Sequence, residues 1–309
     1  MLDLLAIGDI KLDTFVVLND ASVQCQLKMP ECQLCMEHGG KVLVDVVDSQ
    51  IAGSAPNVAV GLARMGMKTG VLSNMGLDGT KDLALKKLKK EGVATNNIRS
   101  VRGAKSAFSI VLNFKGERTI LTDHNQNSYK LPEKLSCKWI YVGEMGSKYE
   151  SLYRALLKKK KASHKLKIVT NPGTAQIKER KKAFLDLLKH IDILFINREE
   201  ARALTKTKSG EILTIAKSLF KRGVRHAVIT DGQDGAYSFD GEELLFSPMF
   251  PGPRIEATGA GDAFAAGYLG ALMHGGDRKE ALAWGAVNSA SAVYHVGPQK
   301  GLLSRRQIK

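Results

Sequence analysis

No run of roughly 20 apolar residues occurs in the 309-residue chain, so nothing in it reads as a membrane-spanning helix. The first residues, Met1-Leu2-Asp3-Leu4-Leu5-Ala6-Ile7-Gly8-Asp9, are apolar but interrupted by acids and carry no basic leader. They read as a first strand, and a cytoplasmic protein with no membrane partner is expected. Also missing are the Gly-x4-Gly-Lys-Ser/Thr phosphate loop, a Gly-x-Gly-x2-Gly after the first strand, a Gly-x-Ser-x-Gly elbow and a His-Glu-x2-His pair. The common nucleotide folds and hydrolases therefore lose support. There is no internal repeat, low-complexity tract or long linker. Cysteine is scarce: of four, three crowd together as Cys25, Cys32 and Cys35, followed by His38. A Cys-x2-Cys knuckle with four soft ligands allows a small structural zinc site, while reduced, unliganded thiols or a disulfide are the other readings.

What is present is an ordinary globular composition, 44% hydrophobic and 25% charged, with a net charge of +15. Such a charge fits nucleic acid or small anionic substrates such as nucleotides. The densest basic runs, Lys158–Lys161 and Lys86–Lys90, end amphipathic helical patterns and have no aromatics interleaved for base stacking. The second reading is favoured, with no specific nucleic-acid partner.

Short β-like runs alternate with helical patterns for nearly the whole length, as in a parallel sheet with helices on both faces. Strands are expected near Leu4–Gly8, Thr69–Ser73, Trp139–Val142, Lys167–Thr170, Ile193–Ile196, Ala227–Thr230 and Gly235–Phe239. Helices are expected between and after them, among them one continuous helix over Ile177–Leu188, and Gly66, Gly92 and Gly223 serve as stops. Thr14–Leu18, Val42–Val47, Ser106–Phe114 and Glu117–Asp123 are strand-like without intervening helices. They predict a small separate sheet built from two insertions, at about 13–50 and 101–125. Packed over the mouth of an α/β domain, it would be a lid.

The stretch Glu256-Ala257-Thr258-Gly259-Ala260-Gly261-Asp262 runs into an apolar helical pattern. Small residues let backbone approach a ligand, and the following helix would aim free N–H groups at an anion. Asp262, in the first turn, is either a proton acceptor beside a phosphate or a simple complement to the helix dipole. Thr230 and Gly232 end a strand where ligands bind in open α/β sheets, or form a plain turn. Asn197 and Glu200 match a capping box, and the same pair could order the water shell of Mg²⁺. Asp13 beyond strand one, and Gly53 with Asn57 before a helix, suit the recognition of sugar hydroxyls or act as caps. Asn288, alone in a small-residue helix, means little by itself.

In chain order, Asp13, Ala52-Gly53 with Asn57, Asn197 with Glu200, Thr230 with Gly232, and Glu256 through Asp262 resemble the ribokinase/pfkB family of sugar and nucleoside kinases over essentially the full length. The resemblance implies a three-layer α/β/α fold with a mostly parallel central sheet, one domain over residues 1–309, and a small β-sheet lid through which two copies could pair. It implies transfer of the ATP γ-phosphoryl to a hydroxymethyl group of a ribose-like sugar or nucleoside, with Asp262 as general base. The N–H groups of Gly259, Ala260 and Gly261 would form the anion hole. Asn197 and Glu200 would order Mg²⁺ through water, Thr230, Gly232 and Asn288 would contact ATP, and Asp13, Gly53 and Asn57 would grip the acceptor. Activation by K⁺ near the terminal motif and the loop Val293 to Gly301 is also implied. Phe15, Phe108, Phe114 and Tyr129 are candidates to cover a nucleoside base. The departures are Glu256 and Ala257 for Asp and Thr, Ala52 for Gly, and Lys11 for Asn. Lys11 would pair with Asp13 or Asp9, or reach an acceptor that already carries phosphate. Such departures also fit a catalytically weak ligand-binding or regulatory protein on the same fold.

Overall fold

Seven consecutive buried residues, Thr69–Met75, cannot belong to a strand with one wet face, so the sheet that holds them is covered on both sides. The computed structural model, which describes residues 1–24, 33–115 and 117–309, shows that arrangement. Its elements run β1 (Leu2–Ile7), β2 (Lys11–Leu18), β3 (Ser22–Gln24), β4 (Gln33–Cys35), β5 (Val44–Ala52), α1 (Ser54–Arg64), β6 (Thr69–Met75), α2 (Gly79–Lys90), β7 (Ala94–Ser100), β8 (Ala107–Phe114), β9 (Glu117–Asp123) and β10 (Cys137–Val142). They continue α3 (Glu150–Ala162), β11 (Lys167–Thr170), α4 (Thr174–Glu179), α5 (Lys182–Leu188), β12 (Ile193–Asn197), α6 (Arg198–Thr205), α7 (Ile212–Lys221), β13 (Ala227–Thr230), β14 (Ala236–Phe239), β15 (Leu244–Ser247), α8 (Ala260–Met273), α9 (Arg278–Val293) and α10 (Arg305–Ile308).

The nine-stranded sheet has the order β15-β14-β13-β12-β11-β10-β1-β6-β7, and only its β13–β14 and β14–β15 pairs are antiparallel. In β1 the side-chain alternation sends Leu4 and Ala6 into one core and Leu5 and Ile7 into the other. The first core is closed by α1, α8 and α9. Gly267 makes their approach possible, since a Cβ there would meet the Trp284 carbonyl at 2.5 Å. A separate four-stranded sheet has the order β5-β2-β8-β9. Asp13 pairs in register with Ser109, and Ser109 with Thr122, so the three lie on one face.

The expected helix over Ile177–Leu188 is two helices. Arg180 takes a left-handed conformation (φ 46°) and ends α4, and α5 restarts at Lys182. The expected stops hold, because Gly66, Gly92 and Gly223 all have positive φ. The strand expected at Val42–Val47 runs instead over Val44–Ala52, directly into α1. Outside the expected strands lie β3 and β4, which pair with each other, and the two edge strands β7 and β15 of the large sheet. β7, Ala-Thr-Asn-Asn-Ile-Arg-Ser, has no fully buried residue and so carries no apolar pattern to read. No helix among the described residues is long and apolar enough to cross a membrane.

Candidate active site

The carboxyl ends of the parallel strands, the N-terminus of α8 and the inner face of the small sheet surround one cleft of about 800 Å³. Its floor is set by α8. Gly259 sits at the N-cap with φ 80°, and a Cβ there would stand 2.2 Å from Pro298 Cβ, so only glycine fits this turn. The Ala260 N–H is already bonded to the Ala257 carbonyl (3.2 Å), which removes it from the expected anion hole. Among the described residues nothing accepts from the N–H groups of Gly259, Gly261 or Asp262, so these are the donors left facing the cleft.

Asp262 is half-buried and accepts a 2.8 Å hydrogen bond from Asn57 Nδ2, while Gln299 Nε2 donates to Asn57 Oδ1 at 2.9 Å. Burial raises the Asp262 carboxyl above its ordinary value. Bonds from Asn57 and Ser54 oppose that rise, and the charge of Glu144 adds to it. Gly53, at φ 114°, lets α1 begin against the main chain, since a Cβ would lie 2.3 Å from the Asp9 carbonyl oxygen. Across the cleft Asp13 is almost wholly buried, and its Oδ1 has no hydrogen-bond partner. Burial, opposed by Lys11 and Ser109, holds it at about 6.

At the other end, Asn197 and Glu200 form the expected capping box: Glu200 N donates to Asn197 Oδ1 at 2.8 Å and Asn197 N to Glu200 Oε2 at 3.1 Å. Both also line the cleft. Burial first, then the charges of Glu144, Glu199 and Asp262, lift Glu200 to about 7 against the Asn197 backbone bond. Thr230 and Gly232 line the same end.

Three expectations need correction. Asn288 does not line the cleft. It is fully buried, bonded to the Ala263 carbonyl (2.6 Å) and the Leu303 N–H (2.9 Å), and ties α8, α9 and the C-terminal segment together. Lys11 pairs with neither Asp9 nor Asp13; its Nζ lies 2.8 Å from Glu144 Oε2 and 3.0 Å from Thr122 Oγ1. None of Phe15, Phe108, Phe114 and Tyr129 lines the cleft, whose aromatics are Phe195, Phe250, Phe264 and Tyr294. The zinc reading rests on Cys25 and Cys32, which lie outside the described residues.

Residues not singled out from sequence extend the charged network around Lys11 and Glu144. His124 Nδ1 is 2.7 Å from Asp9 Oδ2 and its Nε2 is 3.4 Å from Glu144 Oε1, and the Tyr129 hydroxyl also donates to Asp9. Burial opposes the charge on His124, but Asp9 and Glu144 outweigh it and raise the ring to about 9. The charged His124 and Lys11 in turn hold Glu144 at about 2 despite its burial. Glu144 had a readable signal, an acid two residues beyond the apolar strand end at Val142. Arg118 and Arg254, which also line the cleft, had none.

A model of the pfkB family carbohydrate kinases matches residues 14–305. A ribokinase of Bacillus subtilis is 26% identical over 270 residues, covering 83% of this chain and 86% of that protein. A ribokinase of Arabidopsis thaliana solved with ribose and ATP superposes with a TM-score of 0.80 at 20% identity, covering 99% of this chain and 97% of that one. A nucleoside kinase of Methanocaldococcus jannaschii gives 0.78 at 19% identity, over 99% and 96% of the two chains.

Proposed function

The chain belongs to the pfkB family of carbohydrate kinases, and on that premise we propose that it transfers the γ-phosphoryl of ATP to a hydroxymethyl group of a ribose-like sugar or nucleoside. One observation carries this reading. A carboxylate restrained by Asn57 stands at the N-terminus of α8 in the same cleft as the unpartnered oxygen of Asp13. An acceptor hydroxyl donating to Asp13 Oδ1 would satisfy that atom, and sugar binding is its natural use. The hydroxymethyl oxygen attacks the γ-phosphorus while its proton passes to Asp262, and the N–H groups of Gly259 and Gly261 receive the developing charge. Thr230 and Gly232 lie where the nucleotide would extend.

The cluster of acids fits Mg²⁺ carried in with the nucleotide. Glu200 and Asp262 are both raised partly by the charge of Glu144, and a cation would relieve that repulsion. Asn197 and Glu200 would hold it through water, and its contribution is to neutralise phosphate charge. Glu256 Oε2 and Thr258 Oγ1 are buried without partners beside α8, so a monovalent cation such as K⁺ fits there despite the unusual Glu256 and Ala257. Replacing potassium with tetramethylammonium should then lower kcat several-fold, and equal rates in the two salts would remove that cation from the site.

Asp262→Asn tests the base directly. The expected loss in kcat is about 10²- to 10⁴-fold with ATP affinity nearly unchanged. Undiminished turnover would sink the assignment.

A further inference from the structure

Behind the carboxylate that receives the proton stands a second buried amide. Gln299, in the segment between α9 and α10, donates from Nε2 to Asn57 Oδ1 at 2.9 Å, and Asn57 donates from Nδ2 to Asp262 at 2.8 Å. A primary amide has two ends of nearly equal shape and opposite sense, one a donor and the other an acceptor. Asn57 turned over would aim its oxygen at the Asp262 carboxylate. Gln299 opposes that, because its N–H group would then face the Asn57 NH₂ with nothing to accept it. Among the described residues Gln299 Oε1 has no partner, so this amide is held through Nε2. The chain therefore runs one way, from Gln299 to Asn57 to Asp262, and each bond polarises the next.

The backbone under Gln299 is anchored independently of the cleft. Arg64, two turns beyond Asn57 on α1 and hence on the same face, donates from Nη1 to the carbonyls of Gln299 and Leu302, both at 2.8 Å. Its Nε and Nη2 form a fork on Glu91, at the end of α2, at 2.9 and 2.8 Å, and Lys87 Nζ lies 3.0 Å from the same carboxylate. Bonds from Arg64 first, and then from Lys87, hold Glu91 at about 2 against its burial, so the fork stays charged. The same segment carries Pro298, against which Gly259 turns, and Leu302, which packs beside Gly61. One short stretch thus meets both the N-terminus of α8 and the face of α1 that carries Asn57.

We propose that Gln299 is a positioning residue for the transfer: by fixing the sense of the Asn57 amide it keeps a donor on Asp262 and holds that carboxylate ready for the acceptor's proton. The proposal rests on the reading of Asp262 as the base. Gln299 acts at one remove, since it lines no part of the cleft. Lys11, Asp13, Tyr141, Glu144 and Glu200 are the charged or titratable groups that act on Asp262 or feel its charge. A substitution at position 299 leaves all five in place.

The test follows kcat against pH in Gln299→Met, which keeps the volume and removes the donor, and in Gln299→Glu, which keeps the shape and sets an acceptor against Asn57 Oδ1. Gln299→Met should lower kcat near neutrality roughly 3- to 10-fold, the value of one hydrogen bond, with KM for ATP unchanged. The acid limb should move up by about half to one pH unit, and Gln299→Glu should move it the same way. In an Asn57→Ala background Gln299→Met should cost nothing further, because Gln299 acts through Asn57. Losses that multiply in the double variant, or a lowered melting temperature with an unmoved limb, overturn the proposal and leave Asp262 as the base. NMR of carboxyl-labelled protein separates the two claims. The Asp262 signal, identified by its loss in Asp262→Asn, should titrate at higher pH in Gln299→Met than in the wild type, and an unshifted signal overturns the positioning role. A shifted signal upholds that role even if no acceptor is turned over; in that case the phosphotransferase reading alone falls.

Discussion

Asn57 matters because of what it does to a neighbour. Its amide donates to Asp262 and so stabilises the charged carboxylate against the burial that raises it. Asn57→Ala removes that bond, and the acid limb of the pH–kcat profile should move to higher pH, with kcat near neutrality falling about tenfold or more. A purely structural role would lower stability without moving the limb. In the wild type, Asp13 at about 6 and Glu200 at about 7 are both raised carboxyls that protonate as pH falls. Activity that needs them charged should rise through that window and level off above it, and a profile flat down to pH 5 would remove them from the reaction. Sequence had marked Asn57 as a sugar ligand. The residue was legible but its partner was not, since Asp262 lies 205 positions away.

At the start of α8, two glycines separated by one residue do different work. Gly259 is needed for the fold: its φ is 80° and a methyl would collide with Pro298. Gly261 has open space where a Cβ would stand, with no atom beyond its own stretch of helix within 4 Å, and faces the cleft. Gly261→Ala should therefore fold normally and place its methyl where phosphate is expected. Thermal melting should show a clear loss for Gly259→Ala and little change for Gly261→Ala, while KM for ATP rises in the latter. Normal kinetics for Gly261→Ala would move the anion site elsewhere. The Gly-Ala-Gly pattern announced a close approach in advance. Which glycine met protein and which met open space depended on Pro298, which the pattern does not contain. The capping box at Asn197 and Glu200 was readable because caps are local. The break at Arg180 was not, because a left-handed arginine carries no signature in composition.

At the scale of the whole molecule, the cleft is divided between two sheets. The large sheet supplies the ends of β12 and β13 together with α8, and the small one supplies Asp13, Thr122 and Arg118. We propose that the small sheet acts as a lid. Every residue of β9 is exposed, so closure over acceptor and a non-hydrolysable ATP analogue should slow amide hydrogen exchange in Glu117–Asp123. Unchanged exchange there with both ligands bound would exclude a lid role.

The sequence by itself determined the layered α/β plan, the presence of a second small sheet and the ordered set of small and acidic residues at strand ends. Those features are local or periodic: two-residue and 3.6-residue repeats, caps and turns are written in neighbouring positions. Only the tertiary structure decided that Glu144 neutralises Lys11, that Asn288 braces helices instead of meeting the cleft, and that Arg118 and Arg254 face the site without carboxylate partners among the described residues. Each depends on groups brought together from distant segments, where burial and charge are properties of the assembled cleft and of no single stretch of chain.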